Sequence, residues 1–585
     1  MKATNGKILG LAGLAVSVVC LAACSPSPKP QTAPESQPPA ASTPAAATAM
    51  RPMPAVPASI DDWAKGAHEF EGLGDFHRKI ATKSPEAQRY FDQGMRFLWA
   101  FNHDESTRSF ARAAQLDPDC AACYWGVALT VGPNYNLPVM APPRAQVAFD
   151  ALTKAQSAAT HASPADRALI GALAKRYPNA QPLDPGNSAP ILTAYSQAMK
   201  TVAAKFPSDL DVQTLYAESL MNINAWRLWT PEGKPAPGTE EIVATLESVL
   251  KRDPNHPGAN HYYVHTLEAS PHPEKAVGAA ERLRGMMPAA GHLEHMPAHI
   301  MQRMGRYEEA AEANRKGVDA DKSYFAKTQP PDYYAMYTGH NYQFLAYSAA
   351  MEGRKAETLE AVRNSRETTP DEMLLAMPGF DWPLAEEYAA MVRFGQWEDM
   401  IAKPAPNPKL TALTGGYLYG KGMALASKGR VDEAKAALAQ LQQLAASLPA
   451  DARAGFNSAK DVLAVASATV QARIASAGHH PDESISLLRE AVAKEDRLAY
   501  DEPKDWFFPV RQLLGAELMA AGRAPEAEEV YRKDLELNPS NGWSLFGLQA
   551  ALRSQKKTDA ADEAERQFRT AWKNADVTLT SSAIF

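Results

Sequence analysis

From about residue 59 onward, apolar side chains recur every three to four positions in runs of about a dozen residues, a spacing that predicts amphipathic helices. Gly-Arg, Asp-Pro and Asn-Pro pairs punctuate the runs and predict the turns between them. A longer period lies above the helical one. Counting from Ala87, small residues fall at positions 8 (Gly94) and 20 (Ser106), bulky ones at 11 (Phe97) and 24 (Phe110), and proline at 32 (Pro118). The next unit opens at Ala121, with Tyr124 and Ala128 at positions 4 and 8. Pro254 and Pro288 are 34 residues apart, and so are Ala276 and Ala310. Residues 415–448 fit the same frame through Gly422 and Ala434. Gly515, Ala527, Tyr531 and Pro539 fit another unit, and Leu548, Ala561 and Phe568 a last one. Small residues let two helices of a hairpin approach, bulky ones fill the space between them, and proline stops the second helix because it has no N–H to donate.

A 34-residue unit of paired helices resembles the tetratricopeptide-repeat (TPR) superfamily across most of residues 85–575. The resemblance implies an all-α, right-handed superhelix of helical hairpins over residues 59–580, with the first helix of each hairpin lining a concave groove. Phe91, the run Phe101, Asn102, His103, and the segments around Tyr124 to Gly126 and Gly132 to Asn134 are also similar to bacterial envelope TPR proteins without an assigned activity. So are Asp501 to Arg511 and Asn541 to Leu545. Two stretches break the period, a Pro/Gly-rich insertion at 226–238 and a Tyr/Pro-rich one at 325–338. Long connections in a compact array are more often functional than idle.

The N-terminal pattern is different. Lys2 and Lys7 precede an apolar run from Ile8 to Val19, too short to span a bilayer comfortably. Leu21-Ala22-Ala23-Cys24 resembles a bacterial lipobox. That resemblance implies a signal peptide over 1–23, lipidation of Cys24, and a place in the cell envelope; Ser25 in the following position points to the outer membrane, facing the periplasm. Residues 25–58 hold ten prolines among Ala, Ser and Thr. With Cys24 they read as an extended tether, reaching up to roughly 100 Å at about 3.1 Å per residue.

Composition adds limits. The chain has 585 residues, 45% hydrophobic and 22% charged, which is globular usage. A net charge of −7 and the lack of any Lys/Arg run predict no nucleic-acid partner. Cys120 and Cys123 are the remaining cysteines of the processed chain beside the anchor. In an oxidising envelope they form most simply a local disulfide. A c-type haem needs His after the second cysteine, where Tyr124 stands, and two thiolates are half a metal site.

Chemistry concentrates in the middle. Seven of the 14 histidines fall within residues 256–299. His261 and His265 repeat as His295 and His299 one period later, so each pair shares a helical face and the two pairs sit on neighbouring helices. Helices pack about 8–10 Å apart, a gap that two imidazoles with metal–nitrogen bonds near 2.0–2.1 Å can bridge. His261, His265, His295 and His299 are thus the leading ligands for a transition metal, zinc or copper. Glu218, Glu268, His292 and His340 fall at groove positions beside them. Met286, Met287, Met296, Met301 and Met304 lie close by; thioethers suit copper, but methionine more often fills cores. Packed or solvated histidines are the plain alternative. Pro297 also bears on the geometry, because a helix starting there would leave His292 and His295 on the entering loop.

No H-E-x-x-H, G-x-S-x-G or P-loop occurs, so no recognised catalytic motif points to an enzyme. Asp501, Glu502, Trp506 and Arg511 form a charged aromatic stretch that reads as a loop packed on the final repeats, with ligand binding as the alternative. Two functions follow. The base reading is a membrane-anchored scaffold that binds a protein or peptide in its groove, with a metal site in that groove as an addition. The other is a metal- or small-ligand-binding protein built on the histidines, for storage, trafficking or a metal-dependent reaction.

Overall fold

The computed structural model describes residues 56–183, 186–328, 332–377 and 379–584. The signal segment, Cys24 and nearly all of the tether lie outside them. Helical hairpins follow one another from Ile60–Ala64 to Thr558–Ala571. Among the described residues, no helix is long and apolar enough to cross a membrane.

The small positions of the repeat do what their spacing requires. The Phe110 ring sits between two helices at Gly94 and Gly126. A Cβ on either glycine would lie 2.6 Å or 2.4 Å from that ring, inside any permitted contact. Tyr531 is wedged in the same way between Gly515 and Gly547, at 2.3 Å and 2.2 Å. The N-termini are capped by side chains that accept an otherwise unpaired backbone N–H: Ser84, Asn102, Asp209 and Asn541.

The structure adds three features to the all-α expectation. A two-residue antiparallel ladder pairs Arg453–Ala454 with Asn457–Ser458, forming a small hairpin. The segment read as an insertion at 325–338 is largely helix, since Asp332–Met351 begins well before the frame of the repeat places it. The tail after Ala571 folds back, so that Ser582 Oγ lies 2.6 Å from Tyr531 Oη and donates to the Gln512 carbonyl.

Repeats far apart in sequence meet. Trp99, fully buried, packs on the helix Pro257–Leu267, with its ring centroid 5.9 Å from that of Tyr262. Tyr324 Oη donates to Glu105 Oε1 at 3.0 Å. Farther along, Trp543 Nε1 donates to the Ala350 carbonyl at 2.8 Å. The array is therefore wrapped, and its middle hairpins are covered from both chain directions. Gly258 marks one closure: a Cβ there would stand 2.3 Å from the Trp99 ring. Alanine normally improves a helix by about 1 kcal/mol over glycine. Here overpacking outweighs that gain, and Gly258→Ala is expected to lower stability by about 1–3 kcal/mol in denaturant unfolding. A stabilised variant would show that Trp99 yields freely.

Candidate metal centre

Where the wrapped array meets itself, six histidines and two glutamates gather. His261 and His265 stand one turn apart on Pro257–Leu267. His292 and His295 lie on Gly291–His295, and His299 follows on Pro297–Arg303. Pro297 interrupts the helix at Met296 only, so His292 and His295 are helical rather than on a loop. The rise from His295 to His299 survives because the Met296 N–H still reaches the His292 carbonyl. His340 comes from Asp332–Met351. Glu268 ends the first of these helices, and Glu502 arrives from a loop near the other end of the chain.

The donor atoms form three groups, each with all atoms within 4.8 Å of one another: His261, His265, His292; His295, His299, His340; and Glu268, His299, Glu502. The four histidines singled out by the repeat thus divide between two triads, completed by His292 and His340. Ring centroids of His265 and His299 are 5.7 Å apart, so the triads adjoin. Glu218 is placed elsewhere: it takes no part in these groups and accepts from Asn222 Nδ2. The methionines singled out with the histidines pack instead, Met287, Met296 and Met301 in the main core and Met286 and Met304 against it.

Hydrogen bonds fix which nitrogens are bare. His261 Nδ1 donates to the Trp99 carbonyl at 2.5 Å, which leaves its Nε2 as a lone pair. His265 Nδ1 donates to Glu268 Oε1 at 3.1 Å, and its Nε2 has no partner. Asn314 Nδ2 is spent on the Ala310 carbonyl, so Asn314 Oδ1 faces His295 and takes its Nδ1 proton at 2.6 Å. His295 Nε2 then points a lone pair at His299 Nε2, 2.7 Å away. His261 Nε2 lies 3.2 Å from His292 Nε2. If His292 carries its proton on Nδ1, two lone pairs face each other; if on Nε2, its buried Nδ1 is an acceptor without a donor. Two nitrogens bound to one tetrahedral ion at 2.0–2.1 Å would sit roughly 3.3 Å apart. An imidazole whose other nitrogen is held by a carboxylate or carbonyl is the usual metal-ligand arrangement.

The electrostatics agree with ligand chemistry. Burial holds His261 and His340 down to about 3 and keeps His265, His292 and His295 well below the ordinary imidazole range. All five are neutral near pH 7, the form that binds metal. Burial also disfavours charge on His299, yet Glu502 and Glu268 outweigh it and raise that imidazole to about 10. Burial, then the charge of Glu502, pushes Glu268 well up. Burial works to raise Glu502 as well, but His299 overrides it and holds that carboxyl below its usual value. His299 Nδ1 is 2.8 Å from Glu268 Oε2 and closer still to Glu502 Oε2, but none of the three atoms makes a well-directed hydrogen bond there. Three buried donors converge without sharing a proton properly.

The centre opens on a cavity of about 330 Å³, lined by His265, His292, His299, His340 and Glu502 and by further side chains, most of them apolar. Trp226, from the insertion at 226–238, stands in that wall with its ring 5.9 Å from His265. The groove expectation changes accordingly. His261, His265, His295 and His299 are at most 1% exposed, so none faces an open peptide groove; His265 and His299 line the cavity.

A tetratricopeptide-repeat family model matches residues 416–447, the hairpin formed by Thr411–Ser427 and Val431–Ser447. The chain carries a tetratricopeptide-repeat hairpin at these residues. No curated protein matches this chain. Solved structures similar to it include the Cut9–Hcn1 hetero-tetramer of the APC/C, 12% identical over 86% of this chain and 79% of that one, with a TM-score of 0.31. The human IFIT1 dimer with m7Gppp-AAAA is 12% identical over 77% of this chain and 90% of that one, TM-score 0.31. A monomeric IFIT1 mutant with Gppp-AAAA gives 12%, 87% and 99%, TM-score 0.33. Values this low say nothing about a ligand.

Three contributors to the centre were not singled out from the sequence. Glu502 was read as part of a packing loop. Phe101, at a φ of 53°, lays its ring 4.5 Å from His261 and stacks near His265 and His292. Asn314 orients His295 from the next helix. The acidic pair in Asp501-Glu502 was the available signal for the first; the other two carry none. Cys120 and Cys123 are joined by a disulfide, with Cα atoms 5.4 Å apart, away from the histidines.

Proposed function

We propose that this is a metal-binding protein whose wrapped array holds a transition metal between its two histidine triads. The observation that carries the reading is His265: its Nδ1 proton is committed to Glu268, and its buried Nε2 lone pair, without a donor, faces the nitrogens of His261 and His292. Such an atom costs about 1–3 kcal/mol unless a cation or donor meets it. Imidazole with carboxylate suits zinc or copper. The adjoining triads accommodate one ion or two, with His299 and its carboxylates between them.

Lipidation at Cys24 and a periplasmic station on the outer membrane belong to the same reading, with the Pro-rich tether holding the body off the bilayer. Capture of a protein partner by the outer surface is compatible with it.

The test is elemental analysis of the purified chain beside a His261→Ala/His295→Ala double variant, with far-UV circular dichroism on both. At least about one zinc or copper per chain, lost in a helical double variant, is the expected result. A chain that takes up neither metal, even when both are supplied, ends the proposal.

A further inference from the structure

The cavity beside the centre is not needed to hold a metal. Two histidine triads need only their ligand atoms, yet space of about 330 Å³ extends away from them. A cavity of about 150 Å³ takes up benzene, so this one has room for roughly two fused rings. Its polar lining includes the centre, through His265, His292, His299, His340 and Glu502, together with Asn136, Gln343, Arg453, Asp501 and Asp505. Trp226, Tyr337, Met373, Leu374, Met377 and Phe507 supply much of the remaining wall.

The surface around the cavity carries the same chemistry. Among the described residues, the large exposed hydrophobics are Val139, Leu375, Phe380, Phe456 and Leu537. Phe380 and Phe456 themselves line the cavity, and Leu375 and Val139 adjoin the lining residues Leu374 and Pro138. Apolar side chains left in water around one opening mark a route for an apolar guest. Charge narrows the choice. Acidic Asp501, Glu502 and Asp505 line the cavity beside cationic Arg453 and His299, so neither sign of charge prevails and a neutral guest fits.

We propose that the cavity binds a neutral, hydroxyl-bearing aromatic molecule of about two rings, its ring system in the apolar chamber and its oxygen at the His–Glu centre. The molecule enters past Phe380 and Phe456. Metal at the centre binds the oxygen directly; without metal, Glu502 and the bare imidazole nitrogens offer hydrogen bonds to it. The inference rests on the metal-centre reading for its tightest form, but the two fail separately.

The experiment titrates the purified full chain, with its metal content measured, against 2-naphthol and naphthalene by tryptophan fluorescence. These probes share a ring system and differ in the hydroxyl. Two variants accompany it: Met377→Trp, which fills the chamber from a half-buried position, and Phe380→Asp, which places a charge on an exposed side chain at the opening. The expected result is that 2-naphthol binds at least about tenfold more tightly than naphthalene, and that each variant weakens it by about tenfold with metal content unchanged. Equal affinity for the two probes, no saturable binding of 2-naphthol, or binding indifferent to both variants would overturn the proposal while leaving the metal intact. A chain without metal ends the metal reading alone, and the same comparison of probes and variants then decides the cavity.

Discussion

His299→Ala is expected to strip the chain of metal to below about a tenth of the wild-type content, a larger loss than any other single histidine change. Each of the other five histidines serves one group of donors, whereas His299 belongs to two. Its Nε2 faces His295, and its Nδ1 faces Glu268 and Glu502. Removal also leaves two buried carboxyls without the cation that separates them, and breaking a buried ion pair costs about 3–5 kcal/mol. The variant should therefore be less stable as well as empty. Glu218→Gln is the control. Glu218 is equally buried and acidic, but its contacts are with Asn222 and the field of Arg176, so that variant keeps its metal. Elemental analysis of the two variants at equal helicity decides the matter. Full metal in His299→Ala would remove this residue from the centre.

Chelator-treated protein should unfold in mild acid. His103, His261 and His340 are held down to about 3 by burial, and His265, His292 and His295 lie well below their ordinary value for the same reason. In the unfolded chain each takes a proton near pH 6.5. Between that pH and the depressed folded values the unfolded state binds more protons, so stability falls as pH falls. Each histidine contributes about 1.4 kcal/mol per pH unit through the window. The three held near 3 already cost about 8 kcal/mol over two units, comparable with the 5–15 kcal/mol that holds a typical fold, and the other three add to it. His299 has the opposite sign: raised to about 10, it lends stability that is complete below pH 6.5 and lost as pH climbs through 10. It does nothing to prevent the acid transition. Far-UV circular dichroism from pH 7.5 to 3.5 is expected to show helix loss between pH 6 and 4, moved to lower pH when metal is bound. Helicity that persists to pH 3.5 without metal would refute the assignment of these histidines as buried and neutral.

Much of the fold was legible because TPR packing is local. Gly94, Phe110 and Gly126 meet across adjacent helices, and a period read along the chain places them together. The histidines were legible for the same reason, since His261 and His295 repeat at one period. Their partners were not. Trp99 and Phe101 reach the centre because the array wraps, and Glu502 because the late segment folds back, and neither closure has a periodic signature. Wrapping also explains why positions expected to face an open groove are sealed from water. Pro297 left the helix nearly intact because it occupies the first position of a new helical segment, where its missing N–H goes unused.

Glu502 is made by the ribosome long after His299. A nascent or truncated chain therefore presents its imidazoles before the carboxylate that completes them exists. For a metal held as proposed, retention would mark chains made past Glu502, since a shorter fragment lacks that carboxylate. Fragments ending before Glu502 would bind metal loosely and surrender it to any competing chelator.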